Sequence, residues 1–172
     1  MSDNVNVAEK NAGEAVTGRV DKYLTFILGD EEYGLEILKV RTIIGLMDIT
    51  HIPRAPEYVR GVINLRGKVI PVIDTRIKFS MGQVDSTEKT CIIVVEVERK
   101  GEMLEMGILV DSVQDVLGIS ENDIEDSPEF GANVDTKFIM GVAKVKGSVK
   151  ILLDINKVLS EADLEEIAQN AK

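Results

Sequence analysis

The sequence predicts a mainly β protein built as two packed, SH3-like five-stranded β-barrels with short helices and a C-terminal helix. Three observations carry that prediction. The apolar residues are chosen unevenly, with 21 Val and 19 Ile against 13 Leu and no Trp; Val and Ile are stiff at the first side-chain torsion and pack well on a pleated surface. Short alternating segments recur, punctuated by turns that contain Gly. There is also an internal repeat: Tyr58 to Val69 lies over Phe138 to Val149, and both stretches run on to an aspartate, Asp74 and Asp154, at an unbroken offset of 80. A weaker echo aligns Tyr33-Gly34-Leu35 through Val40 with Met106-Gly107-Ile108 through Val113. Hairpins repeated in one order imply two similar β units. Closing each small sheet into a barrel removes its edges.

Residues 1–20 are polar without periodicity and read as a flexible N-terminal tail. Residues 21–160 hold the double-barrel domain. Within it, Tyr23–Leu28 reads as a strand, Gly29-Asp30-Glu31-Glu32 as a turn and Tyr33–Ile37 as the return. A helical turn over 37–42 leads to a strand near Thr42–Leu46. Ile52-Pro53-Arg54-Ala55-Pro56 is a rigid, non-helical link, because each proline biases the residue before it toward extended backbone. Gly61–Leu65 and Lys68–Asp74 pair across Arg66-Gly67, with Pro71 pointing to an edge or bulge position. After a polar connector over 80–90, Thr90–Glu98 and Glu102–Val110 form a hairpin across Arg99-Lys100-Gly101, and Val113–Leu117 extends it. Residues 120–137 are an acidic loop. Phe138–Val145 and Val149–Leu153 pair across Lys146-Gly147-Ser148. The C-terminal helix, 161–172, is capped by Ser160 and carries Leu164, Ile167 and Ala168 on one face.

The chain has 172 residues and a net charge of −10, which argues against a general nucleic-acid binder. The charge is uneven. Between His51 and Ser80, Arg54, Arg60, Arg66, Lys68, Arg76 and Lys78 face Glu57 and Asp74, so this segment is +4 and the remainder is −14. Two readings of the segment stand: basic side chains that solvate strand edges, or a docking patch for an acidic or polar helical partner, for which Arg suits carboxylates better than Lys. A small nucleic-acid-binding barrel is a competing use of the same patch, but no paired aromatics stand on a strand face to stack bases.

Catalysis is not expected. His51 is the only histidine, no nucleophile stands in a triad context, and neither phosphate-cradling glycine motif is present. A hydrolase would need His51 beside a nucleophile in the fold. Zinc lacks ligands, the acidic stretch from Glu121 does not fit an EF-hand, and no cofactor is implied. Cys91 cannot form an internal disulfide, which fits a reducing cytoplasm. The longest apolar run, Cys91–Val95, is far short of a spanning helix, and no direct membrane insertion is expected.

Gly29-Asp30-Glu31-Glu32-Tyr33-Gly34, Ile52-Pro53-Arg54-Ala55-Pro56, Gly61-Val62-Ile63-Asn64-Leu65-Arg66-Gly67 and Gly107-Ile108-Leu109-Val110-Asp111 together resemble the CheW family of chemotaxis coupling proteins, over roughly Tyr23 to Leu159. The resemblance implies two intertwined five-stranded barrels. It further implies a non-catalytic, cytoplasmic adaptor, recruited to membrane-associated receptor arrays. There it links the tips of methyl-accepting chemotaxis receptors to the regulatory domain of the histidine kinase CheA. Carried over position by position, it implies partner-binding roles for Ile37, Val40, Thr42, Gly61, Val62, Asn64, Leu65 and Arg66. It places Glu129 and Phe130 in a loop at a second kinase-facing surface. Two positions depart from the family. Thr42 stands where a glutamate able to face Arg66 is usual, and Thr75 stands where leucine is common.

Overall fold

The computed structural model describes residues 19–81, 85–125 and 136–159. Eleven strands follow in order: β1 (Val20–Leu28), β2 (Glu31–Glu36), β3 (Val40–Gly45), β4 (Val59–Leu65), β5 (Lys68–Asp74), β6 (Cys91–Arg99), β7 (Glu102–Val110), β8 (Ser112–Ser120), β9 (Ile124–Glu125), β10 (Ile139–Val145) and β11 (Ser148–Leu153). Two single-turn helices, α1 (Thr75–Lys78) and α2 (Ile155–Val158), follow β5 and β11, and 3-10 turns occupy Ile37–Lys39, Glu121–Asp123 and Thr136–Phe138. The 161–172 helix expected from the sequence lies outside the described residues. So does the tail up to residue 18, whereas Val20 already belongs to β1 and Arg19 accepts a backbone bond from Glu121.

The strands form two sheets, a five-stranded one in the order β3-β6-β7-β5-β4 and a six-stranded one in the order β8-β1-β2-β11-β10-β9. The expected five strands are thus exceeded in one unit by the two-residue β9, which pairs with Ala143 and Val142. The five-stranded sheet is contiguous in sequence, while the six-stranded one gathers both ends of the described chain. Val113–Leu117 does not extend the preceding hairpin. It lies within β8, which crosses to the other sheet and pairs with β1 from Val20↔Ser120 to Ile27↔Ser112. Asp111 makes the crossing: its N–H donates to Ile27 O at 3.0 Å and its carboxylate accepts from Gly29 N at 2.7 Å. Once the chain is bonded to the β1–β2 hairpin, continuing beside β1 satisfies the backbone groups of β8.

The repeat seen in the sequence is structural. Both hairpins carry a register shift at equivalent places, Val59/Gly61 in β4 and Ile139/Gly141 in β10. Asp74 N donates to Tyr58 O, and Asp154 N to Phe138 O. Each aspartate then caps the following helix, accepting from the N–H two residues on, Arg76 or Asn156. The weaker echo also holds, since Val72↔Gly107 in the parallel β5–β7 ladder matches Leu152↔Gly34 in the β11–β2 ladder.

One apolar core joins the two sheets. It packs Leu24, Phe26, Tyr33 and Leu35 of one sheet with Ile73, Ile93, Val95 and Ile108 of the other, and Leu153, Ile155 and Val158 complete it. Phe26, Tyr33, Phe79 and Phe138 follow one another through it with ring centroids 5.6–6.2 Å apart, a spacing favourable for offset or tilted aromatic contacts. Each barrel has its own smaller interior: Ile63, Ile70, Val72, Ile92, Val94 and Leu109 in one, and Tyr23, Ile119, Ala143 and Leu152 in the other.

Among the described residues charge is buried at two places, Lys150 paired with Glu32 and a cluster around Arg76. The fully buried Arg76 donates to both oxygens of Asp74 at 3.0–3.1 Å and to Asp111 at 2.9 Å, while Arg60 reaches Asp74 from the surface at 3.0 Å. Two cations meet two carboxylates, so the buried charge is compensated. Thr75, the second departure from the family pattern, donates its hydroxyl to Leu109 O at 2.7 Å, so its own polar group is satisfied.

Candidate functional site

The hairpin between β4 and β5 ends in a two-residue turn with both central residues in the left-handed region, Arg66 at φ 54° and Gly67 at φ 84°. That is the type I′ pattern, whose twist matches the flanking strands. Glycine adopts it freely, whereas arginine is held there against its preference. Asn64 lies just before the turn, and its Oδ1 accepts from Gly67 N at 2.8 Å. Its side chain therefore builds the turn. Arg66 itself is exposed, and among the described residues no carboxylate pairs with it.

The neighbours of Arg66 anchor it. Gly61 is buried at φ 143°, and a Cβ there would stand 2.0 Å from Thr50 O. The close approach allows Val62 to exchange both backbone bonds with Thr50, at 2.8 and 2.9 Å. Val62 is half-buried against the shared core, and Leu65 is half-buried against the interior of the five-stranded barrel. Of this group, Arg66 is the side chain that projects outward without a described ionic partner.

Ile37 and Val40 are also half-buried against the shared core, at the 3-10 turn and the start of β3. Thr42 is half-buried and pairs with Val94. Between Val40 and Thr42 the register shifts, and such an irregularity re-aims the residue it carries. Here that residue is Arg41. Its guanidinium lies 3.8 Å from Glu96 and 3.5 Å from Glu105, and Lys68 donates to Glu105 at 2.8 Å. Glu96 and Glu105 sit directly opposite each other on β6 and β7. Like charges so placed repel, and Arg41 between them relieves the repulsion. The Lys68 hydrogen bond, with Lys68 and Arg41 charge beside it, holds the Glu105 carboxyl below its ordinary range. The Arg41–Glu105–Lys68 chain joins the Ile37–Thr42 segment to the Arg66 hairpin, two stretches that lie apart in sequence.

The basic segment is mostly spoken for. Arg60 and Arg76 pair with Asp74, Lys68 pairs with Glu105, and Lys78 Nζ lies 4.4 Å from the Tyr58 ring centroid and 5.7 Å from that of Phe138. Arg54 and Arg66 stay exposed, both at positive φ. The +4 patch is thus in large part internal pairing, and the docking reading narrows to Arg54 and the Arg66 turn. Glu129 and Phe130 lie outside the described residues. His51 is exposed in the proline link, and Cys91 is half-buried, its thiol pushed up by burial. Among the described residues no group of His, Cys, Asp or Glu could hold a metal, and no helix is long and apolar enough to cross a membrane. The sequence reading missed Arg41, Glu105 and Asp111 as connectors. No sequence signal marked Arg41, because the irregular pairing that re-aims it is visible only in the sheet register.

Two small barrels fused through one core and built on one repeated hairpin plan define a double-barrel protein. The model of the CheW-like domain matches residues 22–163, and the chain belongs to that family. It is 38% identical over 163 residues to the chemotaxis protein CheW of Klebsiella aerogenes, covering 95% of this chain and 94% of that one. It is 34% identical over 155 residues to the chemotaxis protein CheW of Rhizobium meliloti, covering 90% and 97%. The crystal structure of the scaffolding protein TtCheW from Thermoanaerobacter tengcongensis superposes with a TM-score of 0.75 at 36% identity, covering 84% of this chain and 91% of that one. The protein is a non-catalytic chemotaxis adaptor that works through signalling partners.

Proposed function

We propose that this chain couples the cytoplasmic tips of methyl-accepting chemotaxis receptors to the regulatory domain of the kinase CheA, and is recruited by them to receptor arrays at the membrane. The observation that carries the proposal is Arg66. It is exposed at a tight turn closed by the Asn64 side chain, without a described carboxylate partner, and a free guanidinium on a preorganised support suits a carboxylate of a partner surface. Ile37, Val40 and Thr42, joined to the hairpin through Arg41, Glu105 and Lys68, supply the apolar and neutral part of the same face. With Thr42 in place of a glutamate, no carboxylate at that position competes for Arg66. Glu129 and Phe130 belong, in this proposal, to the second kinase-facing surface.

Titration calorimetry of the purified chain against the kinase regulatory domain and against a receptor-tip fragment tests it. Binding to both is expected. Failure of both in a clean titration sinks the reading.

A further inference from the structure

The two repeats differ in how their hairpins are fastened to the neighbouring strand. In one, β11 runs parallel to β2 through Lys150↔Glu32, Ile151↔Tyr33 and Leu152↔Gly34. By the offsets of 80 and 73 that relate the halves, the equivalent pairs in the other would be Ile70 with Glu105, Pro71 with Met106 and Val72 with Gly107. Of these the third alone forms, and the ladder continues instead through Ile73↔Ile108 and Asp74↔Leu109. Pro71 is the cause. Val62 gives both of its backbone groups to Thr50, so Val62 and Pro71 face each other as a pair without mutual hydrogen bonds. The nitrogen of Pro71 then faces β7 and has no hydrogen to donate. The tip that carries Arg66 is therefore released from β7 along the stretch where its copy, carrying Lys146, is bonded.

At the released end, Lys68 Nζ reaches across to Glu105 Oε1 at 2.8 Å, and Arg41 holds the same carboxylate from the opposite side at 3.5 Å. Glu105 occupies the position at which the backbone ladder is missing. We infer that Glu105 is the positioning residue for the docking face: through Lys68 it tethers the Arg66 turn, and through Arg41 it keeps the Ile37–Thr42 segment in line with that turn. A side-chain tie without a ladder beside it sets the tip with an interaction that salt weakens, whereas the other hairpin has backbone bonds in addition to its own Lys150–Glu32 ion pair. The inference rests on the docking reading for its functional half and on the fold alone for its mechanical half.

The test is a set of three variants, Glu105→Gln, Lys68→Met and the two combined, measured in two ways. Backbone ¹⁵N order parameters over Asn64–Lys68 are expected to fall from rigid values near about 0.85 toward about 0.6 in every variant, while those over Lys144–Ser148 stay unchanged. Affinity for the kinase regulatory domain is expected to fall about two- to fivefold in each single variant, the scale of a partly exposed ion pair. The double variant should be no weaker than the weaker single, because both act through one bond. Unchanged order at the Arg66 turn overturns the inference, and so does a double variant that loses the product of the two single effects. If the native chain binds no partner, the docking reading fails, and the order parameters still decide whether Glu105 positions the turn.

Discussion

At the scale of single residues, three positions separate support from contact. Gly61 is support: its Cβ would fall 2.0 Å from Thr50 O, and the backbone bonds on either side leave no room to shift. Gly61→Ala is expected to cost about 3 kcal/mol or more in urea unfolding, combining steric conflict with an unfavourable φ. Arg76 is also support. Removing its guanidinium in Arg76→Met leaves Asp74, which is 1% exposed, with the surface residue Arg60 as its remaining cation, and a loss of about 3–5 kcal/mol is expected from a broken buried pair. Arg66 is contact. Arg66→Asn keeps the turn, since asparagine is favoured at this place in a type I′ hairpin, and should leave the melting temperature equal or slightly higher. It should nevertheless weaken partner binding. A variant that melts early would make Arg66 structural instead.

Glu105 adds a pH dependence whose sign follows from its lowered carboxyl. A carboxylate depressed in the folded protein stabilises it fully above the unfolded glutamate range, and that contribution is lost as pH falls through the folded value. The groups facing it are Lys68, Arg41 and Glu96. Partner affinity should therefore hold from neutral pH down to about 5 and drop below the ordinary glutamate range near about 4. In Glu105→Gln this part of the drop should vanish, which calorimetry across pH would record.

At the scale of elements, the hairpins were the most legible feature. Lys100-Gly101 and Lys146-Gly147 adopt the same left-handed pair as Arg66-Gly67, with φ of 49°, 81°, 50° and 82°, and the basic-Gly signal with flanking Val and Ile marks all three. Lysine at the first of these positions is not the favoured choice. Lys100→Asn and Lys146→Asn should each raise stability by about 0.5 kcal/mol without touching the proposed docking face, as thermal unfolding can show. The helices α1 and α2 were not read because four residues hold too few positions for a helical period; their capping aspartates, Asp74 and Asp154, were visible as the ends of the repeat. The partner of β8 was misread. Alternation reports that a strand has a buried face and says nothing about which strand lies beside it. The choice is made by Asp111 bonding to Ile27 and Gly29, 82 residues away in the second case.

At the scale of the molecule, the family and the double-barrel plan were legible because a repeat and a set of motifs each span most of the chain. The charge layout was legible only in part. A segment of +4 suggested a broad basic surface, yet its acidic counterparts, Glu105 and Asp111, come from strands distant in sequence. Composition cannot count such pairings. The core that joins both sheets carries a prediction of its own. With Phe26 and Tyr33 of one sheet packed among Ile73 and Ile93 of the other, unfolding in denaturant should be one cooperative transition, coincident by far-UV circular dichroism and by tyrosine fluorescence. Two separated transitions would mean that the barrels are independent units.

The interlaced order of the strands also bears on how the chain is made. β1 and β2 leave the ribosome first, but the strands that flank them, β8 and β11, begin at Ser112 and Ser148. At about 5–20 residues per second, the first hairpin waits on the order of ten seconds for its neighbours. The five-stranded sheet, whose members all lie between Val40 and Val110, can assemble during that interval. Translation thus gives the nascent chain a half-built partner against which the older hairpin closes last.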